Sequence, residues 1–278
     1  MTIDIRTLTI VLSLINLLQL IGFSLQYLTN KTCHGLFSLL LWNILTAAGF
    51  ILMVSREFVP TEIISTSIFI TNILLLIGHI YLYKGIAQFL DIKQQNSLII
   101  GIFILFILCA VYNIFIDKND NIRISTLYIA VSLISFLISR SLITHNQISI
   151  KVSTNFLSFI FFLHGCYFFI RTILALTIAP FDSVFTPTLF QIITFSIQLI
   201  SNYLWAFGLI VMINQKAIEE IKTLKGIIPI CANCKNIRND KGYWELVESY
   251  ISKNTDAKFS HGICPDCMQK LYPEFYKP

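Results

Sequence analysis

The sequence predicts a mainly α-helical fold, in which a seven-helix transmembrane bundle precedes a small cysteine-bearing module. Three observations predict it. Hydrophobic residues make up 55% of the 278 positions and charged residues only 13%, and the mean hydropathy is +0.74. Seven apolar runs long enough to cross a bilayer follow one another. Two pairs of closely spaced cysteines lie beyond the last run. An ordinary soluble globule is excluded, because its composition is far more polar.

The charged residues divide the chain into two regions with different surroundings. Residues 1–212 contain ten Lys and Arg and seven Asp and Glu, whereas residues 213–278 contain ten and eight. Half of the basic residues therefore lie in under a quarter of the length. We expect a membrane domain over 1–213, a linker helix over 214–228 and a polar module over 229–278. The modest net charge of +5 gives no support to nucleic-acid binding.

Each run in the first region has the length of a membrane-spanning helix, which needs roughly 20 apolar residues. Continuous apolar runs fit helices rather than the alternating strands of a membrane barrel. Polar residues and turn formers separate the runs, for example in the Pro180–Pro187 segment. The predicted spans are Thr7–Leu28, Leu36–Ser55, Ile63–Tyr83, Leu98–Ile116, Ile124–Ile143, Asn155–Thr177 and Thr188–Ile213.

Basic residues after the seventh span decide the predicted orientation. The loops on the two sides carry equal numbers of Lys and Arg, but Lys216, Lys222 and Lys225 follow the last span directly. Positive charge favours the cytoplasmic side, so we expect an external amino end and a cytoplasmic carboxyl end. Membrane lipid is then the main surrounding of residues 1–213.

Ionisable residues inside the spans are the first candidates for a ligand site, because they are costly to place in lipid. Arg171 could hold an anionic ligand, or its long side chain could reach the membrane surface. His79 and His164 are the two span histidines, and they could bind haem or simply hydrogen-bond within the bundle. With the amide of Asn72, these residues form the predicted intramembrane ligand site.

The helix of the seventh span is expected to continue beyond the membrane. Apolar residues recur at coiled-coil spacing over Ile210–Ile228, and Gly226 and Pro229 end the pattern. An asparagine, Asn214, occupies a seam position, which would suit a parallel homodimer. An ordinary amphipathic linker helix explains the same pattern.

Two Cys-x-x-Cys pairs give the strongest local signal. Cys231 and Cys234 are followed by Cys264 and Cys267, a donor set typical of a structural zinc site with four thiolates. We therefore expect the C-terminal module over 229–278 to be zinc-ribbon-like and cytoplasmic. A short amphipathic helix over Tyr243–Ser252 is expected to cover the metal. A redox pair or a disulfide framework would use the same residues. His261 could replace one thiolate, although we favour a hydrogen bond to a sulfur.

The tail resembles the short cysteine-rich module that ends many bacterial signalling proteins. The similarity covers the last 55 residues or so, including Leu224–Trp244, Phe259–Cys267 and Leu271–Pro273. In that family the module follows sensor domains, receiver domains or histidine-kinase-related chains. The resemblance implies a bacterial signalling protein, and it implies no catalytic activity of the module.

The membrane part is similar, over scattered residues such as Trp42, Pro60, Asn72 and Gly78, to the multi-span sensor region of many bacterial diguanylate cyclases. That similarity implies a receptor. The sequence departs from the family because no Gly-Gly-(Asp/Glu)-Glu-Phe motif follows the spans.

These observations favour a bacterial inner-membrane sensory or regulatory protein without a catalytic domain. Its zinc-stabilised tail would contact a cytoplasmic kinase, cyclase or response regulator. A transporter or membrane enzyme with a purely structural zinc tail is the alternative, and a haem-linked redox protein is a third. No metalloprotease, nucleotide-binding or serine-hydrolase motif occurs in the sequence.

Overall fold

The computed structural model describes the chain apart from residues 1–3, 31–32, 59, 116–118, 146, 178–187, 226–227, 240–241 and 276–278. Within the described residues, seven helices are long and apolar enough to span a membrane, which confirms the predicted fold class. The predicted break at Pro180–Pro187 lies outside the described residues. The long helices are α1 (Ile5–Thr29), α2 (Leu36–Ser55), α3 (Thr61–Phe89), α4 (Asn96–Phe115), α5 (Asp120–Ile143), α6 (Lys151–Thr177) and α7 (Leu189–Lys225).

Short polar side chains begin two of these helices. Asp4 accepts a hydrogen bond from the backbone amide of Arg6, and Asn119 accepts from those of Asn121 and Ile122. Such caps satisfy amides that the first helical turn leaves unpaired. A polar residue at the boundary of an apolar run therefore sets where these two spans start.

The bundle has an apolar surface and a mixed interior. Large apolar side chains on α1, α4 and α6 are exposed, as expected of helices that face lipid, and examples are Leu18, Leu105 and Phe159. The interior holds two buried indoles, Trp42 and Trp205, together with many hydroxyl and amide groups. Polar groups thus lie inside the bundle, where neighbouring helices can supply hydrogen bonds.

Helices α5 and α6 meet through small residues. The Ser132 hydroxyl donates to the Gly165 carbonyl oxygen at 2.8 Å, while Ser139 and Ser158 each donate to the other's carbonyl oxygen at 2.9 Å. A Cβ atom at Gly165 would lie 2.8 Å from the ring carbon Cε1 of Phe136. The close approach of the two helices therefore depends on residues without large side chains.

Two helices extend past their predicted ends. Helix α3 continues from Tyr83 to Phe89 because Ile86, Ala87 and Phe89 keep an apolar face that the bundle buries. Helix α7 continues from Ile213 to Lys225, which confirms that the last span continues as a helix. The predicted end at Gly226 lies outside the described residues.

The chain divides into two units, Met1–Ile218 and Glu219–Pro278. The second unit contains a two-stranded antiparallel sheet of β1 (Ile237–Arg238) and β2 (Trp244–Glu245), in which Arg238 pairs with Trp244. Helices α8 (Val247–Asn254) and α9 (Pro265–Leu271) and a single 3₁₀ turn (Pro273–Phe275) follow.

The helix predicted over Tyr243–Ser252 was placed too early. Gly242, at φ +87°, closes a turn in which its amide donates to the Asn239 carbonyl oxygen. That turn pairs Trp244 with Arg238 in the sheet, so the helix begins only at Val247. The turn residues Asn239 and Gly242 were the sequence signal for a hairpin.

Candidate functional site

The clearest candidate site is a cavity of about 110 Å³ inside the helical bundle. Helices α2, α3, α5, α6 and α7 all contribute side chains to its wall. Apolar atoms make up most of the wall surface, and polar and charged groups interrupt it, a composition typical of small-molecule sites. The main polar and charged lining residues are Arg56, Thr71, Asn72, His79, Arg123, Tyr128, Thr194 and Gln198.

Two arginines line one end of this cavity. Arg56 follows the last residue of α2 in a single 3₁₀ turn, and Arg123 lies in the first turn of α5. Successive spans cross the membrane in opposite directions. Both arginines therefore lie at the end of the bundle that is opposite the carboxyl terminus of α7. Both residues lie in or next to predicted loops, where arginines are usually solvated, so they were not among the predicted site residues.

The guanidinium of Arg56 is buried and incompletely paired. Arg56 is 7% exposed, and its Nε and Nη2 atoms have no hydrogen-bond partner among the described residues. Burial, and then the nearby charge of Arg123, lowers the pKa of Arg56 to about 10. Arg56 is thus a buried cation that has free donors and lies near a second cation, and such a place favours the binding of a negatively charged group.

Between the arginines and the bundle centre, the cavity wall contains no carboxylate among the residues that the structure describes. Thr71 and Asn72 of α3 contribute polar atoms, and the Thr71 hydroxyl donates to the Ser67 carbonyl oxygen. Asn72, which the sequence predicted as a ligand-site residue, therefore does lie at the cavity. The charge facing the cavity is positive.

The deep end of the cavity contains His79. Its Nδ1 lies 2.8 Å from the carbonyl oxygen of Leu75, so Nδ1 carries the proton and donates it. The other ring nitrogen, Nε2, is buried and has no hydrogen-bond partner in the described part of the chain. With Nδ1 as its donor, the neutral form of His79 presents Nε2 as an acceptor in this region of the bundle.

The second predicted histidine, His164, lies next to His79 but not in the cavity wall. The two rings are stacked, with centroids 6.3 Å apart and planes 18° apart, and Trp205 contacts both. Ser135 donates its hydroxyl proton to the Val131 carbonyl oxygen, so His164 Nδ1 donates to the Ser135 Oγ at 3.0 Å. Hydrogen bonds and ring contacts within the protein therefore fix the positions of both histidines.

Arg171, the predicted anion-binding residue, is directed into the bundle rather than to the membrane surface, since it is only 3% exposed. Its guanidinium carbon lies 5.5 Å from the ring centroid of Phe190, a cation–π contact. Its positive charge also interacts electrostatically with the hydroxyl groups of Tyr128 and Tyr167. Of these residues only Tyr128 lines the cavity, so Arg171 lies behind the wall.

The cavity brings together part of the predicted ligand site and adds two residues. Asn72 and His79 line it, whereas His164 and Arg171 are buried beside it. Arg56 and Arg123 are the additions. The order of the spans did contain a signal for them. Because successive spans alternate in direction, the end of α2 and the start of α5 lie on the same side of the membrane.

Each cysteine pair of the tail forms a compact turn. The Cys231 amide donates to the Asn236 carbonyl oxygen, and the Lys235 amide donates back to that of Cys231. Cys264 precedes α9, and its carbonyl oxygen accepts from the Met268 amide. Hydrogen bonding from the backbone of Cys234 is the largest of the causes that lower the pKa of the Cys231 thiol.

Backbone hydrogen bonding from Cys267 lowers the pKa of the Cys264 thiol in the same way. No group of three or more potential ligands gathers among the described residues, so the two pairs do not form one cluster there. Four-thiolate zinc binding would require the pairs to approach each other. The zinc site and the hydrogen-bonding role of His261 stay predictions.

A comparison of the chain with protein-family models, curated proteins and solved structures finds no match.

Proposed function

We propose that this chain is a bacterial inner-membrane receptor, which binds a small ligand in the bundle cavity and passes the binding event along α7. The observation that carries the proposal is that α7 belongs to the cavity wall. Thr194, Phe195 and Gln198 line the cavity, and the same helix continues to Lys225. A ligand in the cavity therefore touches the helix that leads to the polar module.

A receptor of this kind needs a ligand that interacts differently with two arrangements of the bundle. Part of the contact between α7 and α1 is made by hydrogen bonds of polar side chains. The Gln19 amide donates to the Asn202 carbonyl oxygen at 3.3 Å, and the Gln26 amide donates to the Asn214 side chain at 3.2 Å. An axial shift of α7 against α1 would break these hydrogen bonds and let the same side chains find other partners, which is the kind of two-state element that the proposal requires.

The proposal assigns the tail to output. Four thiolates from Cys231, Cys234, Cys264 and Cys267 would hold one structural zinc ion, a donor set that leaves no position for a reacting water. The folded module would then contact a cytoplasmic kinase, cyclase or response regulator. The basic residues after the seventh span support a cytoplasmic tail, with the arginine end of the cavity outside.

The test fills the cavity without substituting any residue of α7. Val131 of α5 lines the cavity and is 5% exposed, so Val131→Phe places a ring in the space that a ligand would occupy. Val111→Phe, at an exposed apolar position on α4, is the matched control. Amide hydrogen exchange of residues 213–225 is compared in the purified full chain.

We expect Val131→Phe to change the exchange rates of residues 213–225, and Val111→Phe to leave them at the wild-type values. Equal exchange in all three proteins would contradict the receptor proposal. Uptake of a cavity ligand into proteoliposomes, with residues 213–225 unresponsive, would instead support transport.

A further inference from the structure

The cavity has two chemically different parts. At one end are Arg56 and Arg123, and over the rest of the wall apolar side chains dominate. Leu75, Leu127 and Phe195 are examples of that apolar part. A ligand that matches both parts must have a charged end and an apolar body.

Arg56 determines the sign and the geometry of the charged end. Its Nε and Nη2 donors are buried and unpartnered within the described residues. A planar carboxylate can accept two parallel hydrogen bonds from one edge of a guanidinium. The nearby charge of Arg123 adds attraction for an anion.

The volume determines the size of the body. An engineered apolar cavity of about 150 Å³ holds benzene, which has six non-hydrogen atoms. By the same proportion a cavity of about 110 Å³ holds about four such atoms, which is the carbon chain of a four-carbon carboxylate. Inorganic phosphate fits the size but not the wall, because most of its oxygens would lose water without gaining donors.

We propose that the ligand class of this cavity is a short-chain monocarboxylate, with its carboxylate on Arg56 and its alkyl chain towards Leu75 and His79. This inference rests on the proposed function, since it names the ligand of the same cavity. The Nε2 atom of His79, an acceptor, is poorly matched to a second carboxylate, which favours a single charge.

The test measures equilibrium binding of radiolabelled butyrate to the purified full chain in nanodiscs. Butyramide has the same shape without the charge, and it serves as the competitor that separates shape from charge. Arg56→Gln removes the charge, whereas Arg56→Lys keeps it without the planar fork. Arg140→Gln, at an exposed arginine near the end of α5, is the control for net charge.

We expect saturable butyrate binding that Arg56→Gln weakens by about tenfold or more, the usual effect of losing a charged hydrogen bond. Arg56→Lys is expected to lie between that variant and wild type, and Arg140→Gln to match wild type. Butyramide should compete at least about tenfold more weakly than butyrate.

Absence of butyrate binding, equal competition by butyramide, or equal competition by inorganic phosphate would each overturn the ligand class. Equal weakening by Arg140→Gln would overturn the assignment to Arg56. The hydrogen-exchange comparison of Val131→Phe does not depend on the ligand. Its positive result together with failed butyrate binding would reject this inference and retain the receptor proposal.

Discussion

The guanidinium of Arg56 lies close enough to that of Arg123 for the second positive charge to help lower the pKa of the first. The two residues come from different helices, one after the end of α2 and the other at the start of α5. Their meeting at one cavity is a property of the packed bundle. Without a bound anion, placing these two positive charges close together lowers the stability of the folded chain.

The first prediction concerns that cost. Arg56→Gln should raise the free energy of unfolding of the ligand-free chain by about 1–3 kcal/mol near neutral pH, because it removes a buried, incompletely paired charge. Thermal unfolding of the detergent-solubilised chain measures the change. Arg140→Gln, an exposed control, should stay within about 0.5 kcal/mol of wild type. A destabilised Arg56→Gln variant would contradict the prediction.

The same residue predicts a pH dependence. The pKa of Arg56 is lowered from its ordinary value to about 10, so the unfolded chain binds more protons than the folded chain between the two pKa values. Wild-type stability attributable to Arg56 should therefore rise as the pH rises through about 10. The stability gap between wild type and Arg56→Gln should narrow over that range. A gap independent of pH would show that Arg56 keeps its ordinary pKa.

A third prediction tests the contact between α2 and α3. Gly35 has φ +87°, and a Cβ atom there would collide with the carbonyl oxygen of Gly85. Gly35→Ala should destabilise the chain by about 1–3 kcal/mol. Gly101→Ala is the matched control, because no heavy atom lies within 4 Å of its added Cβ. Within helix α4 this control should stabilise by about 0.5–1 kcal/mol. Equal effects of the two variants on thermal unfolding would refute the proposed contact.

The histidine pair gives a fourth prediction. Two histidines that ligate one haem must face its iron from opposite sides, whereas His79 and His164 are stacked with Trp205 against both rings. We expect the absorption spectrum of the purified chain to lack a Soret band. A Soret band that disappears in His79→Ala would restore the haem alternative.

The fifth prediction concerns the metal of the tail. The purified full chain should contain about one zinc ion, and Cys231→Ser/Cys264→Ser should lose it. Cys166→Ser, at a half-buried thiol of α6, is the control and should retain the metal. Elemental analysis of the purified proteins measures the number of zinc ions per chain. Zinc retained after truncation before Ser260 would exclude a site built from both pairs.

Sequence patterns predicted the seven spans because long apolar runs and polar breaks are local properties. Span ends were less accurate. The third span was predicted to end at Tyr83, just before Lys84. The Lys84 ammonium lies over the Tyr81 ring at 5.6 Å, and α3 continues to Phe89. Long basic side chains can cover apolar surface in this way, so a lysine alone does not end a helix.

The cavity could be predicted only in part. His79 and Asn72 stood out because polar residues are expensive inside a span. Arg56 and Arg123 lie at span ends, where arginines are usually solvated, and their burial depends on how five helices pack. Conversely, Arg171 has the residue type of an anion site, but packing places it behind Tyr128 and against Phe190. Neither outcome is a property of local sequence.

The burial of Arg56 also determines how such a pocket would respond to dissolved salt. Charges at an exposed surface are screened by ions at physiological concentration, whereas a guanidinium that is 7% exposed is screened much less. An anion must shed its hydration shell to reach this residue, and strongly hydrated ions lose the most by doing so. Selection at Arg56 would therefore follow the cost of dehydration, and it would change little between dilute and saline surroundings.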